Sequence, residues 1–123
     1  MTYSYEQLHS FTLGMLSKIG CSEKYAVKAA YVLLSTDIRG VDSHGVARLS
    51  GYVRLWEKGR INPTPNVRVI HETPSTAVVD GDGGLGLVVA PYAMKIAIEK
   101  AKIAGTGWVS VKNSNHYGIA GYH

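Results

Sequence analysis

The stretch Thr76-Ala77-Val78-Val79-Asp80-Gly81-Asp82-Gly83-Gly84-Leu85-Gly86 decides how this chain is read. Thr76 to Val79 is a short β-rich run, and Gly81, Gly83 and Gly86 behind it satisfy the spacing G-x-G-x-x-G. Val88, Val89, Ala93, Met94, Ile96, Ala97 and Ala101 then supply the apolar positions of a helix. Strand, glycines and helix in that order are the context in which a dinucleotide fingerprint cradles a pyrophosphate. Two features argue against that use. Asp80 and Asp82 put carboxylates where the dianion would dock, and no strand ending in an acidic residue follows about 20 residues on, where ribose recognition needs one. A turn whose backbone passes close to a neighbouring element explains the glycines better, because a Cβ would obstruct that approach.

Outward from this stretch the pattern stays α/β. Gly107-Trp108-Val109-Ser110-Val111 reads as a strand after the helix, and Val67-Arg68-Val69-Ile70 as one before it, with a turn around Glu72, Thr73 and Pro74. Asn62-Pro63-Thr64-Pro65 is a connector that interrupts regular structure. Ahead of it the period is helical. Ser4 and Gln7 have capping-box spacing before Leu8, Phe11, Met15 and Ile19, which predicts a helix over about residues 5–19, ended by Gly20. Ser22 caps a second helix whose Ala26, Ala29, Ala30, Leu33 and Leu34 bury one face before Gly40. A third helix is predicted with Ser43 as N-cap, Val46, Leu49, Val53 and Trp56 along one side and Gly59 at its end. The expected organisation is a helical region over residues 1–62, bearing a substrate-binding helix, and an incomplete α/β domain over 63–123. So few strands make only a fraction of a sheet, and Tyr122-His123 carries no helix-ending signal, so truncation and a poorly satisfied sheet edge are expected.

Composition removes several classes. The chain has 123 residues, 46% of them hydrophobic and 18% charged, which suits one folded unit and argues against disorder. The net charge of +4 comes from thirteen Lys and Arg spread from Lys18 to Lys112 without a block, so no nucleic-acid footprint is expected. Cys21 is the only cysteine, which excludes an intrachain disulfide and fits a reduced, cytoplasmic setting. No apolar run approaches the roughly 20 residues of a membrane span, and Met1 to Glu6 lacks the features of a secretory signal. His44 and His116 have no partner at the short spacings of metal motifs, so no metal site is expected.

Two segments carry candidate chemistry. In Asp42-Ser43-His44-Gly45-Val46-Ala47-Arg48, positions 44, 48 and 52 are i, i+4 and i+8, so His44, Arg48 and Tyr52 should line one face of the third helix. An arginine there can hold a carboxylate through two parallel N–H bonds, and a histidine can give or take a proton near neutrality. The plainer alternative has Ser43 as a simple cap and His44 and Arg48 as solvated surface residues. The second segment, Lys112-Asn113-Ser114-Asn115-His116-Tyr117-Gly118-Ile119-Ala120-Gly121, is a polar loop after a predicted strand, where α/β proteins favour ligand sites. Backbone N–H groups at Tyr117, Gly118, Ile119 and Ala120 can meet cofactor groups there, with His116 beside a reacting carbonyl. A strand-to-helix turn using Asn and Gly for backbone freedom is the alternative.

Asp37-Ile38-Arg39-Gly40-Val41-Asp42-Ser43-His44-Gly45-Val46-Ala47-Arg48 resembles the type-2 malate/L-lactate dehydrogenase family, which also holds sulfolactate, ureidoglycolate and cyclic-imine reductases. The likeness continues through Lys58-Gly59-Arg60-Ile61-Asn62-Pro63, Val79-Asp80-Gly81-Asp82-Gly83-Gly84-Leu85-Gly86 and Asn113-Ser114-Asn115-His116-Tyr117-Gly118, with no departure inside these motifs. Family members are much longer, so the resemblance covers their first part. It implies a sulfolactate-dehydrogenase-like fold with a non-Rossmann α/β domain for NAD or NADP, and a homodimer when full length. It also implies transfer of a hydride between the cofactor and C2 of a small 2-hydroxy or 2-oxo acid. By position, His116, His44 and Ser43 would be catalytic, Arg48 and Tyr52 substrate-binding, and His116 with Tyr117, Gly118, Ile119 and Ala120 cofactor-binding, either histidine serving as proton donor. The competing class is a shortened relative that binds a partner or an acidic small molecule without catalysis.

Overall fold

In the computed structural model, which describes residues 2–123, four α-helices and a three-stranded sheet share one chain. Helix α1 spans Tyr5–Lys18, α2 Glu23–Ile38, α3 Leu49–Glu57 and α4 Gly86–Ala104; strand β1 spans Arg68–Glu72, β2 Thr76–Gly84 and β3 Trp108–Ser114. Short 3-10 turns occupy Asp42–His44, Val46–Arg48 and Ala120–Tyr122.

The helical caps follow from local chemistry. Ser4 Oγ accepts the Gln7 N–H at 3.2 Å while Gln7 Oε1 accepts the Ser4 N–H at 2.9 Å, the reciprocal pair that the spacing predicts. Ser22 Oγ likewise accepts the Tyr25 N–H and starts α2. The small face of α2, Ala26, Ala29 and Ala30, lets α1 lie close, and Val32, Leu33 and Leu34 are fully covered. Each large aliphatic side chain so buried contributes about 1.5–3 kcal/mol.

Two apolar clusters hold the layers together. The larger joins Leu16 and Ile19 of α1, the α2 face, Leu49 and Tyr52 of α3, and Leu85 and Leu87 at the start of α4. The smaller sets Val79 of β2 against Val89 and Ala93 of α4, flanked by Val67, Val69, Ile96 and Val109. Helix α4 therefore serves both: its first turn seals the helices and its next two turns cover the sheet. Strand order is β1-β2-β3, with β1 antiparallel and β3 parallel to β2, the latter reached through α4 as the apolar pattern predicts. Among the described residues β3 pairs with β2 alone, so its outer edge has no strand partner.

Two expectations need correction. Ser43 does not cap a helix: its hydroxyl makes no capping bond, and α3 begins only at Leu49 after two 3-10 turns broken at Gly45. The cause is Asp37, whose Oδ2 takes the Val46 N–H at 2.9 Å and anchors the second of those turns. The glycine cluster, read above as a turn, lies largely within β2, which runs on to Gly84. The expected close approach does occur. A Cβ on Gly81 would stand 2.8 Å from the Asn113 carbonyl oxygen, and one on Gly86 would collide with the carbonyl oxygens of Asn115 and His116.

Gly86→Ala is therefore expected to lower the free energy of unfolding in urea by about 1–3 kcal/mol or more. Gly14→Ala, in mid-α1 with nothing near the added methyl, should raise it by about 0.5–1 kcal/mol. Equal effects at the two positions would mean that the backbone contact at Gly86 is not a constraint.

Candidate functional site

Three elements meet around the candidate residues: the turns after α2, the first half of α3, and the loop after β3. Each is held by its own local bonds. Asp37 clamps Val46 from the last turn of α2, and Gly45 fits only because it has no side chain, since a Cβ there would collide with the Asp37 carboxylate. Arg48 is folded back so that its Nε donates to the Ser43 carbonyl at 2.7 Å. The loop after β3 is tied to the glycine strand: Asn115 Nδ2 donates to the Gly83 carbonyl at 2.9 Å and the Gly84 carbonyl at 3.2 Å, and the Asn115 N–H reaches Gly84 as well. Arg39, at the end of α2, ties the far end of that loop by donating to the Gly121 carbonyl at 2.6 Å.

These anchors bring residues far apart in sequence into contact. Tyr52 Oη lies 2.8 Å from His116 Nδ1, and the His44 and His116 rings stand 5.4 Å apart between centroids. Ser43 Oγ bonds His44 Nδ1 at 2.8 Å. Tyr52 is buried, His44 and His116 are half-buried, and Ser43 and Arg48 are exposed. His44, Arg48 and Tyr52 thus converge, although the continuous helix from which the i, i+4, i+8 argument started is absent. Tyr117 turns its ring towards His116 and His123, while Gly118 is buried at φ +87° with Val32 and Leu87 close to where a Cβ would point. The Gly118 N–H is engaged by His116 Nδ1 at 3.3 Å, so of the four loop amides proposed for a cofactor this one faces the imidazole. Tyr117, Ile119 and Ala120 donate their N–H groups to no protein atom among the described residues.

The two carboxylates of the glycine cluster are consumed internally. Asp80 Oδ1 accepts the Asp82 N–H at 3.0 Å and Asn113 Nδ2 at 3.2 Å, and these bonds, the backbone one first, hold its carboxyl below the usual range. Asp82 Oδ2 accepts Asn62 Nδ2 and the Asn66 N–H. This segment fastens the strand end to its neighbours and offers no cradle for a pyrophosphate.

Sequence reasoning missed the supporting residues Asp37, Arg39 and Asn115. Asp37 and Arg39 lie in the quoted motif, yet only the fold shows a carboxylate reaching nine residues forward and a guanidinium reaching residue 121. For Asn115 the available signal was its place beside the histidine, in a loop facing three glycines.

The electrostatics are cationic. Burial pushes the Tyr52 phenol up to about 12, with the Arg48 charge opposing, so the hydroxyl keeps its proton. Burial, then the Arg48 charge, then His44 all hold the His116 imidazole below its ordinary value. A groove of about 670 Å³ runs along β3 and α4, walled by Ala93, Met94, Ala97, Val109 and Val111 and opening beside Asn113, Tyr117 and Ala120.

Comparison with known proteins is consistent along the whole chain. The family described as Malate/L-lactate dehydrogenase matches residues 3–123. The malate dehydrogenase of Pyrococcus abyssi is 50% identical over 118 residues, which is 96% of this chain and 33% of that protein. Among solved structures, malate dehydrogenase from Pyrococcus horikoshii OT3 superposes with a TM-score of 0.93 at 49% identity, over 99% of this chain and 35% of that one. Sulfolactate dehydrogenase from Methanocaldococcus jannaschii does so with 0.95 at 43% identity, over 99% and 36%. The chain thus spans about a third of the length of these relatives.

The depressed His116 value has a sign in stability. Native chain holds this imidazole neutral where the unfolded chain, with an ordinary value near about 6.5, begins to bind a proton. Its contribution is therefore present above that value and is lost as pH falls through the folded one. Asp80, also held low, acts only in the carboxylate range well below. The melting temperature should fall between pH 7.5 and pH 5, and His116→Asn, whose Oδ1 can still accept from Gly118, should flatten that slope. An unchanged slope in the variant would assign the pH dependence to other groups.

Proposed function

Because the chain belongs to the malate/L-lactate dehydrogenase family, we propose that His44, Arg48, Tyr52 and His116 form the substrate end of a dehydrogenase site. The substrate is a small 2-hydroxy or 2-oxo acid, of malate or lactate type. The observation that carries the reading is the convergence of two histidines, 72 residues apart, with rings 5.4 Å apart and the Arg48 charge acting on both His116 and Tyr52. A guanidinium pinned by its Nε to Ser43 keeps its remaining N–H groups for a carboxylate, which it can hold through two parallel bonds. That clamp leaves C2 and its oxygen to the imidazoles. Orientation of this kind supplies much of a rate enhancement.

The residues also suit a nicotinamide. The groove along β3 and α4 has an apolar wall for a ring and is lined at one end by Tyr117 and Ala120, whose N–H groups, like that of the intervening Ile119, are unengaged and suit carboxamide or phosphate oxygens. These groups would hold NAD or NADP. Bound there, the nicotinamide supplies or accepts the hydride exchanged at C2. Ser43 orients His44 through its hydroxyl, and either imidazole, His44 or His116, is placed to handle the proton. Buried Tyr52 acts on His116 directly, so its part in holding the carboxylate is secondary.

Titrating the chain with NADH and following its fluorescence should give a saturable change, and adding oxamate, a carboxylate analogue of the substrate, should alter it further. Arg48→Lys is expected to weaken oxamate about tenfold, the loss of one charge-assisted bond, while NADH affinity stays the same. Unchanged oxamate affinity would remove Arg48 from the site. A wild-type chain blind to NADH would mean that the groove along β3 and α4 does not hold the cofactor by itself.

A further inference from the structure

The proposed function leaves the two histidines interchangeable; their hydrogen-bond partners do not. His44 Nδ1 faces the hydroxyl of Ser43 at 2.8 Å, and a hydroxyl can donate or accept. His44 can therefore be neutral in either tautomer or carry both protons without losing that bond. His116 Nδ1 faces the backbone N–H of Gly118 at 3.3 Å. An amide N–H only donates, so it requires a lone pair on Nδ1. The Tyr52 hydroxyl, 2.8 Å from the same nitrogen and only 2% exposed, is placed to donate to that lone pair as well.

We propose that Gly118 and Tyr52 lock His116 as a neutral imidazole protonated on Nε2, so that His116 is the hydrogen-bond donor to the substrate oxygen and His44 exchanges the proton. The role in catalysis rests on the dehydrogenase reading above; the lock itself does not. In this division of labour hydride adds to C2 of the 2-oxo acid and the carbonyl π pair moves onto oxygen. His116 Nε2–H hydrogen-bonds that oxygen throughout and keeps its proton. The His44 imidazolium gives its proton to the oxygen and becomes neutral, leaving the 2-hydroxy acid; oxidation runs the same steps backwards. A neutral imidazole suits the donor role, because protonating Nδ1 would set a hydrogen against the Gly118 N–H. Gly118 lies in the left-handed region and is walled by Val32 and Leu87, so its N–H cannot swing away cheaply. Burial first, then the Arg48 charge and His44 itself, further disfavour a second proton on His116. Tyr52 is then a positioning residue, acting on the substrate only through the imidazole.

The test is a proton-nitrogen correlation spectrum of the histidine rings in the 15N-labelled chain at pH 7.5, with His116→Asn identifying the signals. The expected result is a pyridine-type Nδ1 and a protonated Nε2 for His116. Tyr52→Phe, which keeps the ring and removes only the donor, should admit a visible fraction of the Nδ1–H form with the backbone spectrum otherwise unchanged. A His116 that carries its proton on Nδ1, or both protons, overturns the lock, and the wild-type spectrum decides this whether or not the variant folds. Adding oxamate and NADH separates the two claims. An Nε2–H tautomer that shifts with ligand supports both; the same tautomer with no ligand response supports the lock and removes the donor role of His116 towards ligand in this chain.

Discussion

The end of β2 is tightly constrained, because its glycines pack against two neighbouring segments with no room for side chains of their own. Gly81 lies against Asn113, Gly84 against Pro65, and Gly86 against Asn115 and His116. The Asn115 carboxamide then joins the contact by donating to the carbonyls of Gly83 and Gly84. This one approach fixes where α4 starts, where the loop after β3 leaves the sheet, and hence where the His116 ring stands. Since α4 also seals the helical core through Leu85 and Leu87, the position of the loop is set by the same packing that holds the helices. A polar loop that would otherwise be mobile is thereby built onto rigid elements, as a preorganised site requires.

Much of the architecture was legible because each element carries its own signal. Ser4 with Gln7 and Ser22 are cap chemistry, the alanines of α2 are an interface, and the strand–helix–strand order after Pro65 carries the period change that makes β2 and β3 parallel. The region from Asp42 to Arg48 was misread for an equally physical reason. Helical spacing measures only what a segment does alone, and here Asp37 captures an amide nine residues ahead and divides the run into two tight turns. The same limit explains Asn115 and Arg39, whose partners lie 31 and 82 residues away in sequence. Long-range bonds of that kind leave no periodicity.

The glycine motif shows how context can mislead when chemistry is left out. Its spacing and its neighbours fit a phosphate cradle, yet Asp80 and Asp82 occupy the place of the anion. Asp80 bonds the Asp82 amide and Asn113, and Asp82 bonds Asn62 and Asn66, so the carboxylates serve as internal ties. Asp82 at φ +51° and Gly83 at φ +71° then turn the strand end towards Asn62 and Asn115. A dinucleotide loop presents amide donors outward; here the Asp82 N–H is turned inward to Asp80.

The consequence is a separation of charge across the molecule. Acidic side chains near the glycine cluster are held by amide donors, and Arg68 also reaches Asp80. At the candidate site the balance runs the other way. Among the described residues Arg48 meets no carboxylate: Asp37, the acid packed beside its turn, is committed to Val46. The Arg48 guanidinium therefore stands beside two imidazoles with no carboxylate in contact with it, and after burial it is repulsion from this charge that most disfavours a second proton on His116. A guanidinium without a carboxylate partner is what the proposed carboxylate-binding role requires. A neutral His116 lessens that repulsion without surrendering the hydrogen-bond donor, which is why the tautomer and the charge of the site are one question.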